Sequence, residues 1–211
     1  MGIKIIMVKQ QKIIICGTGR CGTMSMKTLL ESCKNSISTH EFSPTLPWIF
    51  NNDKFQERLK HFKEIKTKYY SDTGAWYLNY LESFIQEIPD IKIICLIRDK
   101  TKTIVSYKAK YGHHNFWNHK HTDGSLAHLD YDNSFPNYGD VNIEKGLNLF
   151  WDDYYSKVQE LKEKYPKNIV IVDVVMLNSL MGQIQLYEFI EIDSEDRVNL
   201  NGLRENAILN L

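Results

Sequence analysis

The sequence predicts an α/β domain, a mostly parallel sheet with helices on both faces. Three observations carry that expectation. Short apolar runs at 12–16, 91–97 and 168–172 read as buried strands. Stretches of helical period alternate with them along the chain, the order that builds a parallel sheet covered on both sides. The first run is followed at once by a glycine-rich loop and a helix, and in such sheets ligands bind at the carboxyl ends of the strands, where that loop would lie.

Taken in order, Lys12–Cys16 is the first strand and Gly17–Thr23 the loop, with three glycines in seven residues. From Met24 the period changes: Met26, Leu29, Leu30 and Cys33 fall on one face of a helix. Ser36–Glu41 reads as a second strand, and Pro44 and Pro47 then impose a loop. Asp53–Lys68 is a charged helix with Phe55, Leu59, Phe62 and Ile65 on one face, Tyr69–Asp72 a short strand, and Trp76–Ile88 a helix stopped by Pro89. Ile91–Ile97 is the clearest strand, Thr101–Tyr111 a helix, and 112–140 a long loop without periodicity. Asn142–Tyr165 is an amphipathic helix whose stripe (Ile143, Leu147, Phe150, Tyr154, Val158, Leu161, Tyr165) is a core face. The strand Asn168–Val172 and the helix Leu177–Ile190 complete the pattern.

The gross numbers fit a single domain spanning 1–211. The 26 basic and 26 acidic residues cancel, which argues against nucleic acid as the main partner. Cys16, Cys21, Cys33 and Cys95 show no CxxC spacing and read as buried thiols of a reducing compartment. The only apolar run near the start, Ile5–Val8, is too short for a signal-peptide core or a membrane span. A cytoplasmic, soluble protein without a membrane partner is the expectation.

Function is concentrated in the stretch Lys12–Cys33, KIIICGTGRCGTMSMKTLLESC. Strand, glycine loop and helix in that order form an anion cradle, because the free N–H groups of the first helical turn converge on the loop. The nucleotide-triphosphate motif G-x-x-x-x-G-K-[ST] is not spelled here: Thr23 stands where its lysine belongs, and the cation comes earlier, at Arg20. A second anion clamp lies in LIRDKTKTIVSYKAKYG, where Arg98 ends the best strand and Ser106 follows eight residues later on a helix. An arginine and a serine so placed can hold one phosphate from two sides.

The loop GxGRxGT resembles the 5′-phosphosulfate loop of sulfotransferases that use 3′-phosphoadenosine 5′-phosphosulfate (PAPS). The Arg98/Ser106 pair resembles their 3′-phosphate motif. The second motif follows the first by roughly 75 residues, as in that family, and the C-terminal helix ending LYEFIEI is also similar. The resemblance spans nearly the whole chain, which is short for the family.

What the resemblance implies is a P-loop-like sulfotransferase fold and transfer of a sulfuryl group from PAPS to a hydroxyl or amine of a small-molecule or carbohydrate acceptor. It places Gly19, Arg20, Cys21, Gly22, Thr23, Met24, Ser25, Arg98 and Ser106 at the cofactor. Arg204, in Asn201–Arg204, would fold over the nucleotide, although its spelling departs from the family pattern. In-line transfer rests on positioning and on fixed positive charge near the bridging oxygen, the role of Arg20. Many cytosolic members use lysine at this position, and arginine cannot readily release a proton.

The acceptor needs a base. Glu41 is the first choice and His40 the second, since neighbours on a strand point to opposite faces and only one would see the site. Asp72 and Thr73, at another strand end, are acceptor-lining candidates. Five of the seven histidines (His113, His114, His119, His121, His128) lie in the 112–140 loop with Phe116 and Trp117. No cysteine or tight ligand spacing accompanies them, so no metal is expected, and His113, His114 and Trp117 read as acceptor contacts. Two rivals remain: a nucleotide or small-molecule kinase with a degenerate loop, opposed by the missing lysine, and a non-catalytic nucleotide-binding relic, opposed by the intact Arg20, Arg98 and Ser106.

Overall fold

Gln11–Cys16 (β1) is buried at every position, and its isoleucines alternate between the two faces of a sheet. That burial is possible because β1 lies in the middle of a five-stranded, all-parallel sheet. The other strands are Ser36–His40 (β2), Tyr69–Thr73 (β3), Lys92–Ile97 (β4) and Ile169–Asp173 (β5), in the order β2-β3-β1-β4-β5. The computed structural model describes residues 9–112, 114–118, 132–201 and 203.

The helices are Thr23–Glu31 (α1), Asn52–Glu64 (α2), Leu81–Glu87 (α3), Lys100–Tyr111 (α4), Ile143–Lys164 (α5) and Leu180–Phe189 (α6). On one face Ile14, Tyr70, Ile93 and Cys95 pack with Phe55, Leu59 and Phe62 of α2, Phe84 of α3 and Phe150, Tyr154 and Val158 of α5. On the other face Ile13, Ile15, Tyr69, Ile94 and Leu96 meet Met26, Leu29 and Leu30 of α1 and Leu186 and Tyr187 of α6. Each such side chain removed from water contributes about 1.5–3 kcal/mol.

Several expected boundaries move. The predicted helix 76–88 divides into a 3-10 turn, Ala75–Tyr80, and α3. The predicted helix 177–190 begins as a 3-10 turn, Val174–Asn178, and α6 starts only after Ser179, whose side chain accepts from the Gly182 N–H. The charged helix α2 stops at Glu64 rather than Lys68. Strand β2 ends at His40, because Glu41 turns left-handed (φ 56°). This architecture puts β1 at a topological switch: the chain builds the β2–β3 side first, then crosses to β4 and β5. In sheets of this kind ligands bind at such a switch, outside the carboxyl ends of the strands, and here the Gly17–Thr23 loop follows β1 at that end.

Among the described residues no helix is long and apolar enough to cross a membrane. All four cysteines are buried and free.

Candidate functional site

The loop after β1 is held from beneath by three tyrosines. The Gly17 N–H donates to the Tyr154 hydroxyl (3.1 Å), which in turn donates to the Ala75 carbonyl (2.9 Å). The Tyr107 hydroxyl donates to the Thr18 carbonyl (2.5 Å). Tyr155 donates to the Leu96 carbonyl (2.8 Å) and lies 3.3 Å from the Thr18 hydroxyl. Gly19, at φ 83°, has room for nothing larger than hydrogen, since a Cβ there would stand 2.4 Å from the Tyr107 hydroxyl. Gly22, at φ 91°, is the N-cap of α1, and a Cβ would strike Val174 at 2.3 Å.

Helix α1 begins without a side-chain cap and without an acidic residue in its first turn. Its hydrogen-bond ladder starts with the Met26 N–H donating to the Gly22 carbonyl (3.1 Å). The N–H groups of Thr23, Met24 and Ser25 therefore point out of the helix end with no intrahelical acceptor, where the helix dipole favours an anion.

Arg20, in the loop before α1, takes a left-handed conformation (φ 54°) that costs a non-glycine residue about 1–2 kcal/mol. Its carbonyl is fixed by the Arg98 guanidinium (2.9 Å), and its own Nε donates to the Ser106 hydroxyl (3.0 Å). The loop arginine and the strand-end Arg98/Ser106 pair thus form one cluster. Arg98 spends a single N–H on the loop and has no other hydrogen-bond partner among the described residues. Its neighbour Asp99 is occupied elsewhere, capping α4 by accepting from the Lys102 N–H (2.8 Å). Two guanidinium groups, a hydroxyl and an open helix start suit a ligand with separated phosphate groups.

Of the other predicted cofactor residues, Cys21 presents only backbone: its side chain is fully buried and burial pushes its thiol up to about 12. Arg204 lies outside the described residues. Leu203 beside it is buried in the same cluster as Cys21 and Leu177.

His40 reaches the start of α1, and Glu41, expected on the opposite face, lies beside the His40 ring. Alternation fails because Glu41 leaves the strand at positive φ, while its N–H still donates to the Thr73 carbonyl (2.7 Å). The His40 Nε2 is 3.1 Å from the Thr23 hydroxyl at the start of α1, and its Nδ1 is 3.8 Å from the Glu41 carboxylate. Burial lowers the His40 pKa below its ordinary value of 6.5, and the neighbouring Glu41 pulls the other way.

Two predicted acceptor contacts have other employment. Asp72 is fully buried on the α2 face, where its carboxylate accepts from Arg58 (3.0 Å), the Thr39 hydroxyl (2.7 Å) and the Tyr77 hydroxyl. Trp117 is likewise buried, its ring 5.5 Å from Tyr107 and 5.7 Å from Phe150, so it anchors its segment to the core rather than facing an acceptor. Thr73 differs: its hydroxyl is buried with no hydrogen-bond partner among the described residues, and its register partner is His40. His114 is half-buried, its ring 4.2 Å from Phe116. His113 lies outside the described residues, as do His119, His121 and His128.

The three loop-supporting tyrosines and Arg58 are residues that sequence reasoning missed. A signal for Tyr154 existed: a tyrosine in a buried helical stripe carries a hydroxyl that must find a partner. Tyr107, Tyr155 and Arg58 gave none.

The fold is an α/β domain with an anion cluster at the carboxyl end of its central strand. A family model described as "Sulfotransferase domain" matches residues 10–208, and the chain belongs to that family. The crystal structure of mouse sulfotransferase SULT7A1 complexed with PAP has a TM-score of 0.50 at 17% identity, covering 89% of this chain and 61% of that one. The chain therefore spans less than two thirds of the mouse protein's length. A sulfotransferase from Alicyclobacillus acidocaldarius gives a TM-score of 0.58 at 12% identity, over 94% of this chain and 87% of the other. At these identities the likeness is one of fold. No curated protein matches the chain.

Proposed function

We propose that the protein transfers a sulfuryl group from PAPS to a hydroxyl or amine of a small-molecule or carbohydrate acceptor. The observation that carries this reading is the cluster that Arg98 and Ser106 form with Arg20, in the loop that leads to the open start of α1, with His40 touching that helix start and Glu41 beside His40. PAPS supplies an activated sulfuryl group on a phosphate leaving group. Arg20 and the N–H groups of the first α1 turn neutralise charge that develops on that phosphate. Arg98 and Ser106 would hold the 3′-phosphate and so set the register of the nucleotide.

The His40–Glu41 pair is the source of the base. A neutral imidazole accepts the acceptor's proton, and the Glu41 carboxylate steadies the imidazolium; alternatively Glu41 takes the proton itself. The Thr73 hydroxyl, buried, across from His40 in register and without a hydrogen-bond partner among the described residues, is a donor for the acceptor or the transferring group. His114, half-buried against Phe116, is a candidate acceptor contact. Four buried free thiols support a reducing, cytoplasmic setting.

The test is conversion of PAPS to PAP with a panel of phenols, sugars and amines. Once an acceptor is found, Glu41→Gln and His40→Asn are compared with wild type. The pair supplying the base predicts that at least one substitution lowers kcat by about 10²–10⁴-fold while PAP affinity stays intact. Unchanged turnover in both would move the base elsewhere.

A further inference from the structure

We infer that the buried Arg58–Asp72 pair is a positioning device for the His40–Glu41 pair, an assignment that rests on the reading of those two residues as the source of the base. Arg58, from α2, is 4% exposed and Asp72, from β3, is 0% exposed. Apart from the bond between them, three of their hydrogen bonds go to the segment that carries the base and two to the Tyr77 hydroxyl.

On the upstream flank, the Asp72 carboxylate accepts from the hydroxyl of Thr39 (2.7 Å), its register partner and the residue before His40. On the downstream flank, Arg58 Nη2 donates to the carbonyl of Phe42 (2.7 Å), the residue after Glu41, and to that of Pro44. The guanidinium also lies 4.8 Å from the Phe42 ring centre. Nη1 closes the arrangement by donating to Asp72 (3.0 Å) and Tyr77 (2.8 Å). One ion pair thus grips the chain immediately before and immediately after His40–Glu41.

The grip answers a mechanical need. Strand β2 is at the edge of the sheet, so among the described strands only β3 supports it through backbone hydrogen bonds. Glu41 departs from it in a left-handed conformation, which persists only where the surroundings over-determine it. A buried ion pair is a poor way to gain stability, since apolar residues of similar volume often serve as well or better. It is a good way to fix a direction: the planar guanidinium fork offers two carbonyls and a carboxylate a single geometry. Thr39 faces the α2 side with Asp72, which leaves His40 to face α1 and the glycine loop.

The test separates positioning from mere stability. Thr39→Val, Arg58→Lys and Arg58→Met are purified, and PAP-binding stoichiometry, PAP affinity and kcat are measured on each. Expected are full stoichiometry and PAP affinity within about twofold of wild type, with kcat down about tenfold or more in Thr39→Val and Arg58→Met. Arg58→Lys should recover part of that loss. A purely structural role would instead lower the folded fraction, so that stoichiometry and kcat fall in proportion; that result overturns the inference, as does wild-type kcat in Thr39→Val. Should the Arg58 variants fail to fold, Thr39→Val decides alone, because it removes one hydroxyl from a half-buried site. If Glu41→Gln and His40→Asn both keep full turnover, the base reading and this inference fall together. If either is needed for turnover and Thr39→Val is not impaired, only the positioning role is lost.

Discussion

Arg20 and Arg98 do different work although both are arginines in one cluster. Arg20, in the loop that leads into α1, touches Ser106, while Arg98 holds the Arg20 carbonyl and has no other hydrogen-bond partner among the described residues. The 3′-phosphate is what distinguishes the expected nucleotide from AMP. Arg98→Ala should therefore weaken PAP binding about ten- to hundredfold more than it weakens AMP binding, the scale of a lost charge-assisted contact. Some loss toward AMP is also expected, because the substitution frees the loop carbonyl. Equal losses for both nucleotides, read by titration calorimetry, would remove Arg98 from the 3′-phosphate. At this scale the sequence was informative wherever chemistry and spacing coincided: GxGRxGT and the Arg–Ser separation led to residues that the fold does bring together. It was uninformative about Asp72, because a carboxylate at a strand end looks the same whether it faces a crevice or a buried arginine from a helix 14 residues earlier in the chain.

The elements show how a binding loop is supported from the core. Helix α5 contributes Phe150 and Val158 to the apolar face, but Tyr154 and Tyr155 add hydroxyls that hold Gly17, Thr18 and Leu96. Tyr154→Phe keeps the ring and strands a buried Gly17 N–H and the Ala75 carbonyl. It should cost about 1–3 kcal/mol of stability and also weaken PAP binding, both measurable by denaturant unfolding and calorimetry. Loss of stability with wild-type PAP affinity would confine Tyr154 to packing. Strands and long helices were legible from period and apolarity, since those patterns are imposed by burial. The 3-10 turns at 75–80 and 174–178 were not, because over five or six residues a repeat of three is indistinguishable from one of 3.6. Ser179, a residue type that favours N-caps, is the sequence signal for the true start of α6. The positive φ of Glu41 had no sequence signal, glutamate being an unusual residue there.

Across the whole molecule, the end of the sheet opposite the site is closed by polar contacts. Lys68 reaches Asp193 (2.6 Å) and Asp196 (2.5 Å), and Asp196 also accepts from Asn35 (3.1 Å) and Tyr69 (3.0 Å). These bonds tie the segment after α6 to the amino ends of β2 and β3. The hydrogen bond from Lys68 holds the Asp196 pKa below its ordinary 3.8. A carboxylate with a depressed folded pKa contributes stability that is fully present above its unfolded value and lost as pH falls through the folded one. Asp196→Asn should lower the thermal midpoint at neutral pH, and the gap to wild type should narrow as pH drops below 3.8. A gap independent of pH would assign the effect to packing. The closing of the C-terminal segment on Lys68 was beyond sequence reasoning, since 128 residues separate the partners and neither lies in a motif. The parallel sheet itself was predictable from the alternation of strands and helices; its order depends on which crossovers the packed helices allow.

The most direct measurement is calorimetric titration of the protein with PAP, beside ATP and GTP with Mg²⁺, which needs no knowledge of the acceptor. The account predicts saturable binding of PAP at one site per chain and much weaker or no binding of the triphosphates. Preference for ATP or GTP would mean that the loop holds a triphosphate and would contradict the assignment of Arg98 and Ser106 to a 3′-phosphate. Absence of binding by all three would contradict a nucleotide site at the end of β1 altogether.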